Sequence, residues 1–210
     1  MIKAVVFDMD GVLIDARDWH YEALNKALAL FGFEINRDEH LSTFDGLPTS
    51  RKLEILSEIK GLPRGLHRII NRLKQEFTSE ITLLRCRPQF QHEFALAALK
   101  KKGIKTAVAS NSISDTVNLM MRKSNLLQYL DFYLSNEDVL EAKPSPEIYL
   151  KAIEKLQLQP SEVLIVEDND HGVAAALASG AHLMRVTDPS EVTFEAINLQ
   201  ISKLNGDHIA

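Results

Sequence analysis

The feature that most constrains the fold is an interruption in a repeating pattern of strands and helices. A short apolar run at residues 1–7 has the character of a buried strand. About seventy residues follow in which apolar positions recur only at helical spacing. Beyond Pro88 strand-like runs return, separated by helix-length segments, at residues 105–109, 132–134, 163–166 and 183–186. Apolar strands that alternate with helices are typical of a parallel sheet covered by helices on both faces.

The interruption predicts two domains in an α/β protein. We expect residues 1–14 and 86–210 to form a Rossmann-like, doubly wound parallel-sheet core, and residues 15–85 to form an inserted α-helical cap domain. Helices within the insert are predicted at residues 19–31, 38–44, 49–59 and 66–83. Ligands bind at the carboxyl ends of strands in such sheets, so this insert should overhang the binding edge and exclude water from it. The alternative is an appended subdomain that only adds stability.

The composition narrows the classes of partner. The chain has 210 residues and a formal net charge of −5, which gives nucleic acid no electrostatic reason to bind. Its apolar stretches are far shorter than the ~20 residues needed to cross a bilayer, so no membrane span is expected. The single cysteine, Cys86, cannot form an internal disulfide, and no signal-like segment precedes the first strand, so we expect a cytoplasmic protein. We expect it to be a monomer or a small homo-oligomer.

Two carboxylates, Asp8 and Asp10, follow directly after the first strand. Residues two apart on a strand point the same way, so both side chains can face one small volume and repel each other there. A cation or a shared proton is needed to relieve that repulsion. Gly11 then allows the chain to leave the strand sharply, as a loop around a ligand requires. The alternative is an acidic loop end that water solvates.

Later strand ends also carry polar groups that suit an anionic ligand. Ser110 and Asn111 follow the second strand, where we expect the next helix to begin, so a hydroxyl and backbone amides could converge on an anion. Lys143 lies between Ala142 and Pro144, in a loop stiffened by prolines that prevent a helix from starting before about Pro146. Ordinary helix capping by the serine and asparagine, and a solvated surface lysine, are the alternatives.

A second acidic pair, Glu167 and Asp168, follows the strand predicted at 163–166. Together with Asp8 and Asp10 it brings four negative charges to one edge of the sheet. The need for a soluble protein surface does not explain two acidic strand ends at the same edge. Mg²⁺ and Lys143 would return three positive charges, leaving about −1, and protonation of Asp10 would bring the site to about zero. A phosphate dianion could enter only then. The sequence therefore predicts Mg²⁺ as a cofactor and a small phosphorylated metabolite as the ligand.

In this order, Asp8-Met9-Asp10-Gly11-Val12, Ser110, Lys143 and Glu167-Asp168 resemble the four motifs of the haloacid dehalogenase superfamily. The helical insert, the Lys143-Pro144-Ser145-Pro146 stretch and Gly172 after the acidic pair are similar to the branch that contains phosphoglycolate phosphatases and β-phosphoglucomutase. The resemblance covers nearly the whole chain. It implies a Mg²⁺-dependent phosphatase that works through an aspartyl-phosphate intermediate.

The resemblance also implies roles for individual residues. Asp8 would be the nucleophile, and Asp10 would protonate the leaving oxygen and then activate water, a task suited to a raised pKa. Ser110, the amide of Asn111 and Lys143 would hold the phosphoryl group. The Mg²⁺ ligands would be the Asp8 side chain, the Asp10 backbone carbonyl and the Asp168 side chain, with Glu167 reaching the ion directly or through water.

The departures from the family pattern bear on the type of reaction. The resemblance implies that Asp10 argues against a dehalogenase or a phosphonatase, because those members carry a different residue at that position. A sugar-phosphate mutase remains an alternative, since His20 matches a histidine of the mutases. However, Gly46-Leu47-Pro48-Thr49 lacks their cap arginine, and Ile113-Ser114 lacks their lysine and asparagine for a second phosphate. A non-enzymatic phospho-acceptor domain is a third, weaker alternative. Cap residues expected near the substrate are His20, Gly46, Thr49 and Arg51.

Overall fold

The computed structural model describes residues 1–206 and contains a five-stranded parallel sheet in the order β3-β2-β1-β4-β5. The strands are β1 (Ala4–Phe7), β2 (Lys105–Ala109), β3 (Phe132–Leu134), β4 (Val163–Glu167) and β5 (His182–Arg185). β1 lies in the centre, between β2 and β4. The predicted α/β fold class, a doubly wound parallel sheet, is confirmed.

The alternation of side chains along β1 explains why helices cover both faces. Val5 and Phe7 belong to an apolar cluster on one face, which is covered by α5 (Phe90–Lys101), α6 (Ser114–Lys123) and α9 (Phe194–Asn205). Ala4 and Val6 belong to the cluster on the other face, which is covered by α7 (Glu147–Leu156) and α8 (Asp170–Ala178). A strand that is apolar at every position can be buried only between two such layers.

The interruption between β1 and β2 is helical throughout. It contains α1 (Arg17–Ala29), the short α2 (Arg37–Glu39) that continues as a π-helical turn (His40–Phe44), α3 (Thr49–Lys60) and α4 (His67–Arg85). These helices enclose an apolar cluster of their own, which includes Leu24, Leu28, Phe44, Leu56 and Ile70. Helices that share a separate core can stand beside the sheet as a unit.

The loop after β2 differs from the prediction. We expected a helix to begin at residues 110–112, but α6 begins at Ser114, and Ile113 before it has an extended backbone. The backbone amide of Ser112 donates to Ser110 Oγ at 3.0 Å, and this local bond competes with the start of a helix. The prediction for the proline-containing loop is confirmed, because α7 begins at Glu147 with Pro146 as its N-cap.

Short 3₁₀ turns connect several of these elements, at Arg64–Leu66, Leu127–Tyr129, Asn136–Asp138, Pro160–Glu162 and Pro189–Glu191. Over residues 1–206, none of the helices combines the length and the apolar character that crossing a membrane requires.

Candidate active site

The carboxyl ends of β1, β2 and β4 meet at a cleft between the sheet and the inserted helices. Asp8 is the first residue after β1, and its amide donates to the carbonyl of Val166 on β4, which places its side chain at this edge. Lys143 Nζ lies 2.6 Å from Asp8 Oδ1 and 2.7 Å from Glu167 Oε1. The same ammonium donates to the carbonyl oxygen of Ala109 at 2.8 Å. Lys143 is therefore a buried bridge between three strand ends rather than a solvated surface lysine.

Glu167 is held by several donors. Its Oε1 accepts from Lys143 and from the Tyr149 hydroxyl at 2.7 Å, and its Oε2 accepts from the amide of Asp168 at 3.0 Å. Gly172 on α8 leaves room for this carboxylate, because a Cβ at that position would lie 1.7 Å from Glu167 Oε1. The glycine that the sequence pattern placed after the acidic pair is required by this close approach.

Burial raises the pKa of Asp8 well above its usual range, although the charge of Lys143 opposes the rise. The neighbouring charges of Glu167, Asp168 and Asp10 add to it. Burial and the charge of Glu167 likewise raise the pKa of Asp168 to about 6, although Arg17 lowers it. The charge of Lys143 is thus too small to offset the burial of Asp8 and the charges of its carboxylate neighbours.

The acidic groups are arranged to fit a hard divalent cation. One carboxylate oxygen from each of Asp8, Glu167 and Asp168 lies within 4.8 Å of the other two. Asp168 Oδ1 is buried and has no hydrogen-bond partner among residues 1–206. Gly11 has a φ of +85°, and a Cβ there would lie 2.1 Å from Asp168 Oδ2. Both the backbone conformation and the lack of space therefore require glycine in the turn after β1. Unpartnered, clustered carboxylate oxygens are the ligands that Mg²⁺ prefers.

Arg17, at the start of α1, also reaches this acidic group. Its guanidinium donates to Asp168 Oδ2 at 2.9 Å and lies 3.2 Å from Asp45 Oδ2 in the insert. Arg17 could not be predicted as a site residue from the sequence, since an arginine at a helix start is not a distinctive signal. The contact joins the insert to the acidic residues of the core.

Asp10 lies in the turn after β1, close to two other polar groups. Ser112 Oγ donates to Asp10 Oδ2 at 3.0 Å, and His20 Nε2 lies 3.0 Å from Asp10 Oδ1 without the alignment of a hydrogen bond. Burial favours a raised pKa for Asp10, but the His20 imidazole, the Ser112 hydrogen bond and the charge of Lys74 lower it overall. The expectation of a raised pKa was therefore wrong for this arrangement, because the neighbours stabilise the ionised carboxylate more than burial destabilises it.

Ser110 and Asn111 follow β2, and Asn111 lines the cleft. Ser110 is buried, and its Oγ accepts from the amide of Ser112. Asn111 Oδ1 accepts from the amide of Lys143 at 3.0 Å, and Asn111 Nδ2 donates to the carbonyl of Gly46 at 3.0 Å. The structure thus brings the three residues predicted for phosphate binding to one place, with Asn111 also contacting the insert.

The predicted cap residues are only partly brought to the cleft. His20, Gly46 and Thr49 line it, whereas Arg51 is exposed and lies outside it. On α3 the buried positions are Lys52, Leu53 and Leu56, and residue 51 faces away from them. Gly46 has a φ of +72° and packs against Asn169, where a Cβ would lie 2.5 Å from Asn169 Oδ1.

Two lysines of the insert, Lys52 and Lys74, line the same cleft and were not predicted from the sequence. A signal for Lys74 was present, because it is a charged residue at four-residue spacing between Ile70 and Thr78, on the buried face of α4. Lys74 Nζ lies 3.3 Å from His20 Nδ1. Since an ammonium can only donate, the proton of a neutral His20 lies on Nε2, which faces Asp10.

The fold and the site together define an α/β protein with a helical insert after its first strand and a buried acidic cluster at the carboxyl ends of its central strands. A family model described as haloacid dehalogenase-like hydrolase matches residues 5–186, and the chain belongs to this family. The resemblance inferred from the motifs is confirmed, as is the expectation of an enzyme of the phosphatase class within this superfamily.

Two curated relatives and one solved structure illustrate the similarity. A phosphorylated carbohydrates phosphatase of Thermotoga maritima is 32% identical over 180 residues, which are 85% of this chain and 82% of the relative. A phosphoglycolate phosphatase of Aquifex aeolicus is 29% identical over 179 residues, again 85% and 82%. The crystal structure of β-phosphoglucomutase from Clostridium difficile superimposes with a TM-score of 0.85 at 21% identity, covering 98% of this chain and all of that one. This last comparison bears on the fold alone.

Proposed function

We propose that this protein is a Mg²⁺-dependent phosphatase that hydrolyses a small phosphorylated metabolite through an aspartyl-phosphate on Asp8. The observation that carries the proposal is the position of Asp8. It is a carboxylate at the end of the central strand, bound to Lys143 at 2.6 Å, in a cleft that Asn111 and Ser112 also line. A nucleophile beside a buried cation and hydrogen-bond donors is the arrangement that phosphoryl transfer requires.

In the first step an oxygen of Asp8 attacks phosphorus, and the bond from phosphorus to the leaving oxygen breaks. Ser110, the amide of Asn111 and Lys143 hold the phosphoryl oxygens, and Asp10 gives a proton to the leaving oxygen. Asp10 acquires that proton as the substrate enters, because an added phosphate charge beside it favours the protonated form. In the second step Asp10 takes a proton from water, which attacks phosphorus and releases Asp8 and inorganic phosphate.

The residues that would hold Mg²⁺ are the side chains of Asp8 and Asp168 and the backbone carbonyl of Asp10, with Glu167 bound directly or through water. When bound, the ion would neutralise charge on the transferring phosphoryl group. It would also offset the charges that raise the pKa of Asp8, which supports the requirement for a divalent cation. Chelation with EDTA should therefore stop turnover, and added Mg²⁺ should restore it.

We also propose that residues 15–85 act as a cap domain on a core of residues 1–14 and 86–210. Support comes from the separate apolar cluster of the insert and from its polar contacts across the cleft, which join Arg17 to Asp168, His20 to Asp10, and Gly46 to Asn111. Each contact lies beside the proposed phosphoryl site. A cap that closes there would exclude water until the substrate is bound.

The experiment that tests the proposal replaces Asp8 by Asn. The variant should lose Mg²⁺-dependent phosphate release from p-nitrophenyl phosphate and from a panel of sugar phosphates, phosphoglycolate and nucleotides. Asp115→Asn is the matched control, because it removes a carboxylate from an exposed position on α6. Turnover that survives in Asp8→Asn would refute the nucleophile.

A sugar-phosphate mutase is the second candidate, favoured by the contact of His20 with Asp10 and consistent with the fold shared with β-phosphoglucomutase. With β-glucose 1-phosphate and a catalytic amount of bisphosphate, a mutase forms glucose 6-phosphate faster than free phosphate. We expect the opposite order. A non-enzymatic phospho-acceptor would instead keep its aspartyl-phosphate for a long time without steady turnover.

A further inference from the structure

Two lysines of the insert are buried at the cleft without an anionic partner. Lys52 on α3 and Lys74 on α4 are each 6% exposed and line the cleft. Among residues 1–206, no carboxylate oxygen lies within 4.0 Å of either ammonium. Lys52 Nζ makes no hydrogen bond within this part of the chain, and the nearest polar contact of Lys74 Nζ is His20 Nδ1 at 3.3 Å.

Such an arrangement is unfavourable for folding. Moving an ammonium out of water costs several kcal/mol unless an opposite charge compensates it. Burial lowers the pKa of Lys52 to about 8, although Asp45 and Asp10 oppose the decrease. Burial and the charge of Lys52 lower the pKa of Lys74 to about 7. Two buried like charges, close enough to influence each other, indicate a partner that is not part of the protein.

The two lysines lie on the cap side of the cleft, and the groups proposed to hold the transferring phosphoryl lie on the core side. Asp8 and Ser110 follow β1 and β2, and Lys143 precedes α7, whereas Lys52 and Lys74 lie on α3 and α4 of the insert. A molecule that occupies both regions would place its phosphate at Asp8 and its other end at the lysines. Asn71 and Gln75 on α4 also line this part of the cleft and add polar groups.

We infer that Lys52 and Lys74 bind a second anionic group, so that the natural substrate is a phosphate monoester with a carboxylate or a second phosphate at its other end. The inference rests on the proposed phosphatase function and specifies its substrate class. Neither lysine lies in the segments 46–49 and 113–114, where the chain departs from the mutases. Lys52 and Lys74, which form this second-anion site, are therefore not among the residues of the family motifs.

The test compares ligands that differ at one end. Asp8→Asn, which should not turn over its ligands, is titrated by calorimetry with glycerol 3-phosphate, 3-phosphoglycerate and glycerol 1,3-bisphosphate in the presence of Mg²⁺. We expect at least one of the two ligands that carry a second anionic group to bind about tenfold or more tightly than glycerol 3-phosphate. The ligand that gains affinity identifies the second group as carboxylate or phosphate. Equal affinity for all three would overturn the inference and leave the phosphatase proposal intact.

Lys52→Met in the Asp8→Asn background should remove this preference, and Arg68→Met, an exposed charge on α4, should keep it. In the otherwise native enzyme, Lys52→Met should raise the KM of the preferred ligand class about tenfold more than the KM of glycerol 3-phosphate, which has no second anion. An equal rise in both KM values would overturn the inference, because it would show that Lys52 serves the phosphoryl site and not a second anion. If the native enzyme released no phosphate from any of these ligands, the phosphatase proposal would be refuted. The calorimetric comparison would still test the binding role of the two lysines.

Discussion

Lys143 Nζ lies 2.6 Å from Asp8 Oδ1, and both residues are buried. The ammonium is shared with Glu167, so one cation stabilises two carboxylates from neighbouring strands. The same contact supports the fold and prepares the proposed nucleophile. Stability and catalysis should therefore be linked at this position.

Lys143→Met should lower kcat by roughly 10²–10³-fold, as the loss of one charge-stabilising donor does in other enzymes. It should also destabilise the fold by about 3–5 kcal/mol, since it leaves buried carboxylates without their partner. Steady-state kinetics and urea unfolding measure the two effects. Lys101→Met, an exposed lysine on α5, is the control and should change neither. A normal kcat in Lys143→Met would contradict the proposed role.

Arg17 donates to Asp168, one of the proposed Mg²⁺ ligands, and should compete with the ion for that carboxylate. Arg17→Met should therefore bind Mg²⁺ more tightly, by up to about fivefold, because a partly exposed ion pair contributes only about 0.2–1 kcal/mol. Calorimetric titration of the metal-free protein with Mg²⁺ measures the change. Arg122→Met on α6 should have the affinity of the native protein. Weaker binding in Arg17→Met would show that Arg17 supports the site rather than competing for it.

Lys52→Met should stabilise the protein in the absence of ligand. Replacing a buried charge by an apolar side chain of similar volume is often neutral or stabilising by about 1–4 kcal/mol, and the ammonium of Lys52 has no anionic partner within residues 1–206. Thermal unfolding should show a higher Tm, whereas Arg68→Met at an exposed position should change stability by less than about 0.5 kcal/mol. A large loss of stability would mean that Lys52 is paired in solution.

Binding of the second anion should weaken as the pH rises. Burial and Lys52 lower the pKa of Lys74 to about 7, so Lys74 is charged below that pH and neutral above it. The groups that face it are His20, Lys52 and Asp10, and a bound anion would move the midpoint upward. The affinity ratio of the preferred ligand to glycerol 3-phosphate should therefore fall between about pH 7 and pH 9. A ratio that is constant over this range would contradict the role of Lys74.

The sequence predicted the sheet well because each strand is a short apolar run bounded by helix-length segments. β2 and β3 begin and end at the predicted residues, and the other strands are displaced by one to three residues at an end. The positions of Asp8, Ser110, Lys143 and Glu167 could also be predicted, since parallel strands end at one edge.

The cap side of the site could not be predicted in the same way. The environment of Asp10 depends on His20 and Ser112, which are distant in sequence and meet only when the insert lies over the sheet. The direction of its pKa shift was therefore wrong. Arg51 was also expected near the substrate, but helix periodicity turns Lys52 toward the cleft instead.

The central claim is that phosphate passes through a covalent bond to Asp8. The most direct measurement uses Asp10→Asn with p-nitrophenyl phosphate, whose leaving group departs without protonation, so that only the second step should fail. We expect a burst of about one equivalent of p-nitrophenol followed by very slow turnover, since water is no longer activated. Mass spectrometry of the acid-quenched protein should locate one phosphoryl group on Asp8. Steady hydrolysis without a covalent phosphate, or a phosphoryl group on another residue, would contradict the account.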